Sequence, residues 1–211
     1  MLPATSFDEL NRLVKTKKSM PYEKFFGEME LNKTEKSKRI SLARIMEENF
    51  TYIMILLFTM QQYNFLNWNL AENEFIKKYL ESIKNFVTLD SKFEQYVSTQ
   101  ANRITESTKE NMDNSYYFSL DRAKFIAENE SNVARSYQCN QEAIQQNKTY
   151  KRWVSIMDEH TRPDHKEADG QIVKINAPFV VGDSLLNYPR DFSLGATPSE
   201  IINCRCSVIY Y

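Results

Sequence analysis

The sequence predicts an α+β protein in which a helical N-terminal two-thirds is followed by a small C-terminal lobe of short strands and loops. Three observations carry this. No Gly occurs between Gly27 and Gly170, and no Pro between Pro21 and Pro163, so a long stretch lacks both helix breakers and is rich in Glu, Lys, Gln, Leu, Ile and Met. The other Gly and Pro crowd the end: Gly170, Gly182 and Gly195 with Pro163, Pro178, Pro189 and Pro198 mark turns. After Lys148 the apolar pattern loses its helical period, and short runs rich in β-branched and aromatic residues replace it.

The elements follow in order. A first helix, from about 32 to 63, starts basic and ends apolar nearly all round. From Glu72 to Val87 the set Phe75, Ile76, Tyr79, Leu80, Ile83, Phe86 and Val87 forms one helical face. Asp90 or Ser91 caps the next helix, with Phe93, Val97, Ala101, Ile104 and, more weakly, Met112 inward. Ser119 or Asp121 caps another that runs to about Gln146, with Phe125, Ile126, Val133, Ala134, Tyr137 and Ile144 inward. Strands are predicted at Trp153–Met157, Gln171–Ile175 and Arg205–Tyr210. Asp169-Gly170 is a turn signal before the second of these. The expected organisation is a helical region at 1–118 and a second domain, helix plus small β lobe, at 119–211.

Composition narrows the function. At 211 residues the chain can bury a sizeable core, and its formal net charge of -1 excludes a protein whose whole surface grips nucleic acid. Positive charge is local: from Arg12 to Arg44 ten Lys or Arg face four Glu. This basic start could touch DNA or an acidic protein surface without sequence preference, or be a solvated helix face. Three cysteines and a polar, basic start without an apolar leader point to a reducing compartment. Phe50 to Ala71 carries no charge, but its apolar part ends at Met60 and is followed by Gln61, Gln62 and Asn64, whereas a spanning helix needs about 20 mostly apolar residues. A buried or partner-docked helix is expected, with Ile53, Ile55, Leu56 and Phe58 as the partner-binding candidates and no membrane contact.

The chemistry-bearing residues concentrate near the end. Cys204 and Cys206 lie two apart in a strand-like run, so both can approach one ion, with His165 as a third ligand and Asp158 or His160 as a fourth. Three readings stay open for the cysteines: a structural zinc, plain packing, or a labile disulfide. Asp158, Thr161, Arg162 and His165 surround a loop that they either fix or use for acid-base and anion-binding chemistry. No nucleophile or Gly-rich phosphate cradle stands beside them. Glu130 shares the helical phase of Ile126, Val133 and Tyr137, and needs a partner if buried, Arg162 and Arg205 being candidates.

In order and spacing, Trp153, Asp158, Thr161, Arg162, His165, Asp169 and Gly170, then Phe179 and Tyr188-Pro189, then Glu200, Ile202 and Asn203-Cys204-Arg205-Cys206 resemble the phage Mu protein F-like minor head protein family. Upstream, Glu130 matches the glutamate of a family Arg-Thr-Glu run, while Glu128 and Asn129 depart from it. Some family members carry a Cys pair where this chain has Arg162 and His165. The resemblance implies a non-enzymatic, low-copy virion protein of a tailed phage or prophage. It would sit inside the capsid near the portal, after assembly in the host cytoplasm. Portal protein and other head proteins would be its partners in head assembly and DNA packaging or delivery. The competing expectation is an enzyme, an ADP-ribosyltransferase or metal-dependent hydrolase, using Asp158, Arg162 and His165.

Overall fold

The computed structural model of the chain describes residues 6–14 and 20–211. Lys15, Lys17 and Lys18 of the basic start lie outside the described residues. The class is α+β. The helices are α1 (Phe7–Leu13), α2 (Tyr22–Gly27), α3 (Lys33–Gln62), α4 (Trp68–Ile83), α5 (Ser91–Glu110), a 3-10 helix at Ser115–Phe118, and α6 (Leu120–Gln145). Then come β1 (Tyr150–Val154), α7 (Pro163–Glu167), β2 (Ile172–Lys174), β3 (Phe179–Val181), β4 (Ser184–Leu186), α8 (Pro198–Ile201) and β5 (Ser207–Tyr210). None of the described helices is long and apolar enough to cross a membrane.

Capping sets the helix bounds. Asn32 accepts from the Glu35 amide at 2.8 Å, Asn67 from Leu70 at 3.0 Å and Asp90 from Phe93 at 2.9 Å, so each satisfies an orphan donor of a first turn. The Asn67 cap starts α4 four residues before the predicted Glu72. At the other end the Phe86 and Val87 amides both converge on the Ile83 carbonyl, closing α4 in a turn before Val87.

The described chain forms two compact units that interleave in sequence, whereas the sequence pattern alone placed one boundary between residues 118 and 119. The first comprises residues 1–20 and 42–128 and the second 21–41 and 129–211. The first unit is helical. Phe50 stacks on Phe75 with centroids 4.7 Å apart, Tyr79 meets Phe93 edge-on at 6.4 Å, and Val97, Ala101 and Ile104 extend this core. Ile53 and Phe58 are buried, Phe58 packing edge-on against Phe7. They are therefore unavailable as partner-binding residues. On the same run Tyr52 and Ile55 are 46% and 41% exposed, and Leu56 is half-buried.

The second unit holds the β lobe. Its three-stranded antiparallel sheet has the order β2-β1-β5, with Arg152 opposite both Ile172 and Ile209, and β3 and β4 form a separate hairpin. The first strand lies earlier than the predicted Trp153–Met157, because the Ser155 amide is taken by the Asp169 carboxylate and Met157 adopts a positive φ of 64°, which ends extended pairing. The lobe core is Trp153, Ala168, Phe179, Val181, Leu186, Cys204 and Cys206, with Val173, Ala196 and Val208 against it. Residues 130–138 of α6 are buried on every side. Within this unit Glu35 accepts from Arg135 through both carboxylate oxygens, at 3.1 and 2.7 Å, and from Arg39 at 3.0 Å, forming a buried Arg-Glu-Arg triad.

Candidate functional site

The segment after β1 is built as a series of side-chain to backbone locks. Trp153 Nε1 donates to Ser155 Oγ at 3.1 Å, and that hydroxyl donates to the His165 carbonyl at 2.6 Å. Asp158 then nucleates a turn, its Oδ1 accepting from the His160 amide at 3.0 Å and the Thr161 hydroxyl at 2.9 Å. Arg162 is the N-cap position of α7, with Pro163, whose ring fixes a helical φ, in the first position. Asp169 holds the Ser155 amide at 2.7 Å, and Gly170, at φ 75°, returns its amide to the Trp153 carbonyl at 3.0 Å. A short helix is thereby pinned at both ends, and it carries His165 inward, 2% exposed.

Cys204 and Cys206 reach the same point. His165 Nδ1 lies 3.5 Å from Cys204 Sγ and 3.4 Å from Cys206 Sγ, and the Cys206 amide donates to Cys204 Sγ at 3.4 Å. Both thiols are free, and 2% and 3% exposed. The other ring nitrogen, Nε2, is 2.8 Å from Glu200 Oε2, a carboxylate on α8 that is itself buried. Ser155 Oγ stands 3.3 Å from Cys206 Sγ, and Trp153 packs edge-on to the imidazole. Among the described residues the donors of His165, Cys204 and Cys206 lie within 4.8 Å of one another. Asp158 is outside this group, and His160 is on the surface, its side chain 72% exposed.

The proton affinities reflect this crowding. Desolvation pushes the His165 imidazole down, but its bonds to Cys204 and Glu200 outweigh it and raise its pKa above the ordinary value. Burial pushes the Cys204 thiol up, and the Cys206 and His165 contacts outweigh it, holding Cys204 well below a normal thiol. The Cys206 thiol is driven up by the bond to Cys204 and then by burial.

Around this centre lies a polar rim. Arg205 bridges Glu28, at 3.0 Å, and Asp158. Desolvation would raise the Asp158 carboxyl, but Arg205 and then Thr161 overcome it and hold it at about 2. Arg162 Nη2 donates to the Ile202 carbonyl. Asn203 turns the chain at φ 56°, its amide held by Asn129 Oδ1 at 3.1 Å. Thus Asn129, where the sequence departs from the family run, serves the lobe as an amide acceptor. Glu130 is buried on α6, 6% exposed. A cleft of about 850 Å³ lies elsewhere in this unit, lined by Glu35, Arg39, Cys139, Tyr188 and Tyr210 among others, and none of Asp158, Arg162 and His165 lines it.

Sequence reasoning missed several of these residues. Glu200 stood in the quoted motif without a role, because only the fold brings α8 to the histidine. Ser155 gave no signal at all. Asn132, which donates to the Cys204 carbonyl at 3.4 Å and accepts from Arg39, was legible only as one more polar position on a helix. Arg39 sits in a charge-rich segment and Arg135 on a largely uncharged stretch of α6, and in neither place does burial have a local signature.

A 59-residue part of the chain, 28% of its length, is 37% identical to NAD(+)--arginine ADP-ribosyltransferase EFV of Enterococcus faecalis (strain ATCC 700802 / V583). The match spans only 12% of that protein. No solved structure matches the chain. Residues 76–209, which contain Asp158, His165, Glu200, Cys204 and Cys206, match the family described as Phage Mu protein F like protein, and the chain belongs to that family.

Proposed function

We propose that this protein is a low-copy component of a tailed-phage or prophage head, acting at the portal in head assembly and in DNA packaging or delivery. The observation that carries this reading is the family match over residues 76–209, which frames the chain as a phage head morphogenesis protein. The site supports it chemically. Asp158 and Arg205 neutralise one another, Arg162 is spent on a backbone carbonyl, and His165 is enclosed, so these groups hold a lobe together. In this reading the lobe is a rigid clip and Tyr52 and Ile55 form part of the portal-docking face of the helical region. Co-expression of the full chain with the portal protein of the same phage tests it. The two should co-purify, Tyr52→Glu with Ile55→Glu should abolish the association, and particles made without the chain should contain less DNA. A folded chain that ignores portal, together with normally filled particles in its absence, sinks the proposal.

The second reading, ADP-ribosyl transfer or metal-assisted hydrolysis through Asp158, Arg162 and His165, draws on the short match to the transferase. It requires these side chains to converge on an open pocket, and the Asp158–Arg205 pair and the enclosed histidine speak against it. Transfer of label from NAD+ to an arginine-containing protein, lost in Asp158→Asn, would establish it. Absence of transfer leaves the assembly role.

A further inference from the structure

We propose that His165 Nδ1, Cys204 Sγ and Cys206 Sγ hold a zinc ion that staples α7 to the segment entering β5, with Glu200 orienting the histidine. The distances carry the argument. Zinc bonds of about 2.0–2.1 Å to nitrogen and about 2.3 Å to sulfur, set at the tetrahedral angle, place the nitrogen about 3.5 Å from each sulfur. The observed separations are 3.5 and 3.4 Å. One ring N–H shared between two sulfurs makes two weakened bonds, whereas one ion on the nitrogen lone pair satisfies both sulfurs fully.

Three further features belong to a metal site. Glu200 fixes the far nitrogen at 2.8 Å, which sets the tautomer and leaves Nδ1 free as a donor. The Cys206 amide points at Cys204 Sγ at 3.4 Å, a donor suited to a thiolate. The two sulfurs and one imidazole are the donor set that zinc prefers over magnesium or calcium. Ser155 Oγ, held between Trp153 Nε1 and the His165 carbonyl, stands 3.3 Å from Cys206 Sγ and braces that sulfur. The need is structural: five strands of three to five residues and a cluster of seven buried residues that includes Trp153 make a thin core, and small lobes of this kind gain from a metal staple.

The test uses the full chain, purified from zinc-supplemented cells and dialysed against zinc-free buffer. Elemental analysis should find one zinc per chain. The surface variant His160→Ala should keep it, Cys204→Ser and Cys206→Ser should lose it, and Glu200→Gln should release it to a chelator about 10–100-fold more readily. Should the cysteine variants fail to fold, cobalt(II) loading of the wild type decides. Tetrahedral ligand-field bands and a thiolate-to-cobalt charge-transfer band are expected, and chelation should lower the melting temperature. Folded wild type with no zinc, no cobalt bands and a melting temperature indifferent to chelator overturns the proposal and leaves a hydrogen-bonded His-Cys cluster only. Full zinc content in folded Cys204→Ser overturns it equally.

Discussion

Lys151 shows at a single residue how burial is traded against function of a side chain. It is fully buried on β1, its ammonium donating to the Asn187 carbonyl at 2.7 Å and lying 5.2 Å from the centre of the Phe179 ring. Burial brings its pKa down to about 8, the charge of Asp191 pulling weakly the other way. Between about pH 8 and the unfolded value of 10.5 the unfolded chain therefore binds more protons than the folded one, so stability rises with pH across that window. The penalty of the buried charge is complete below pH 8 and relieved above it. From about pH 7.5 to 9.5, urea denaturation should show wild type gaining about 1–2 kcal/mol relative to Lys151→Met. Parallel profiles for the two proteins would refute this. Glu35 makes the complementary case. Burial would raise its carboxyl, and the Arg135 bond with the Arg39 charge outweighs this and holds it low. Glu35→Ala would leave two guanidinium groups, Arg39 at 3% and Arg135 at 1% exposure, without their shared carboxylate. A loss of about 3–5 kcal/mol is expected in chemical denaturation, and a loss below 1 kcal/mol would show that water reaches the pair.

Among the elements, the β3-β4 hairpin rests on one glycine. Val181 pairs with Ser184, so Gly182-Asp183 is a two-residue turn, and Gly182 takes φ 55° at its first central position. A Cβ there would meet Asp164 Oδ2, on α7, at 2.7 Å and its Cγ at 3.0 Å. Gly182→Ala should cost about 1–3 kcal/mol through strain and crowding. Gly27→Ala, with nothing within 4 Å of the added carbon, should change stability little or raise it, which makes it the control for the same calorimetric measurement. The hairpin also marks where sequence stops being legible. Long helices announce themselves: Asp90 and Ser119 were readable caps, and the face from Phe75 to Ile83 followed from spacing alone. Strands of three residues have too few positions to show a period, so β3 and β4 left only their turn residues in the pattern. The candidate site divides the same way. His165, Cys204 and Cys206 stood out by residue type, whereas Glu200 and Ser155 became visible only when α8 and the end of β1 were placed beside them.

For the molecule as a whole, charge is near balance but unevenly distributed, and this decides what the basic start can do. The net charge of -1 leaves the segment from Arg12 to Arg44 as the one stretch with a clear cationic surplus. The two units divide that segment's described part, with Lys24, Lys33, Lys36, Lys38 and Arg39 in the second. Not all of these cations are available: Arg39 is committed to Glu35, and Lys36 donates to the Gly27 carbonyl at 2.8 Å. Among the described cations of the segment Arg12, Lys24, Lys33 and Lys38 are exposed, so contact with DNA through them would neutralise only a few phosphates. Binding of that kind is sequence-independent and weak, with a dissociation constant of about 10⁻⁴ to 10⁻⁶ M, and each phosphate neutralised adds about -0.9 to the slope of log affinity against log salt. The full chain should therefore bind duplex DNA of any sequence at low salt with a slope of about -3 to -5 in a fluorescence titration. Changing Lys24, Lys33 and Lys38 together to Glu should flatten that slope by about three. A slope unaffected by the triple change would move the DNA contact to another surface, and no binding at low salt would exclude DNA as what the basic segment touches.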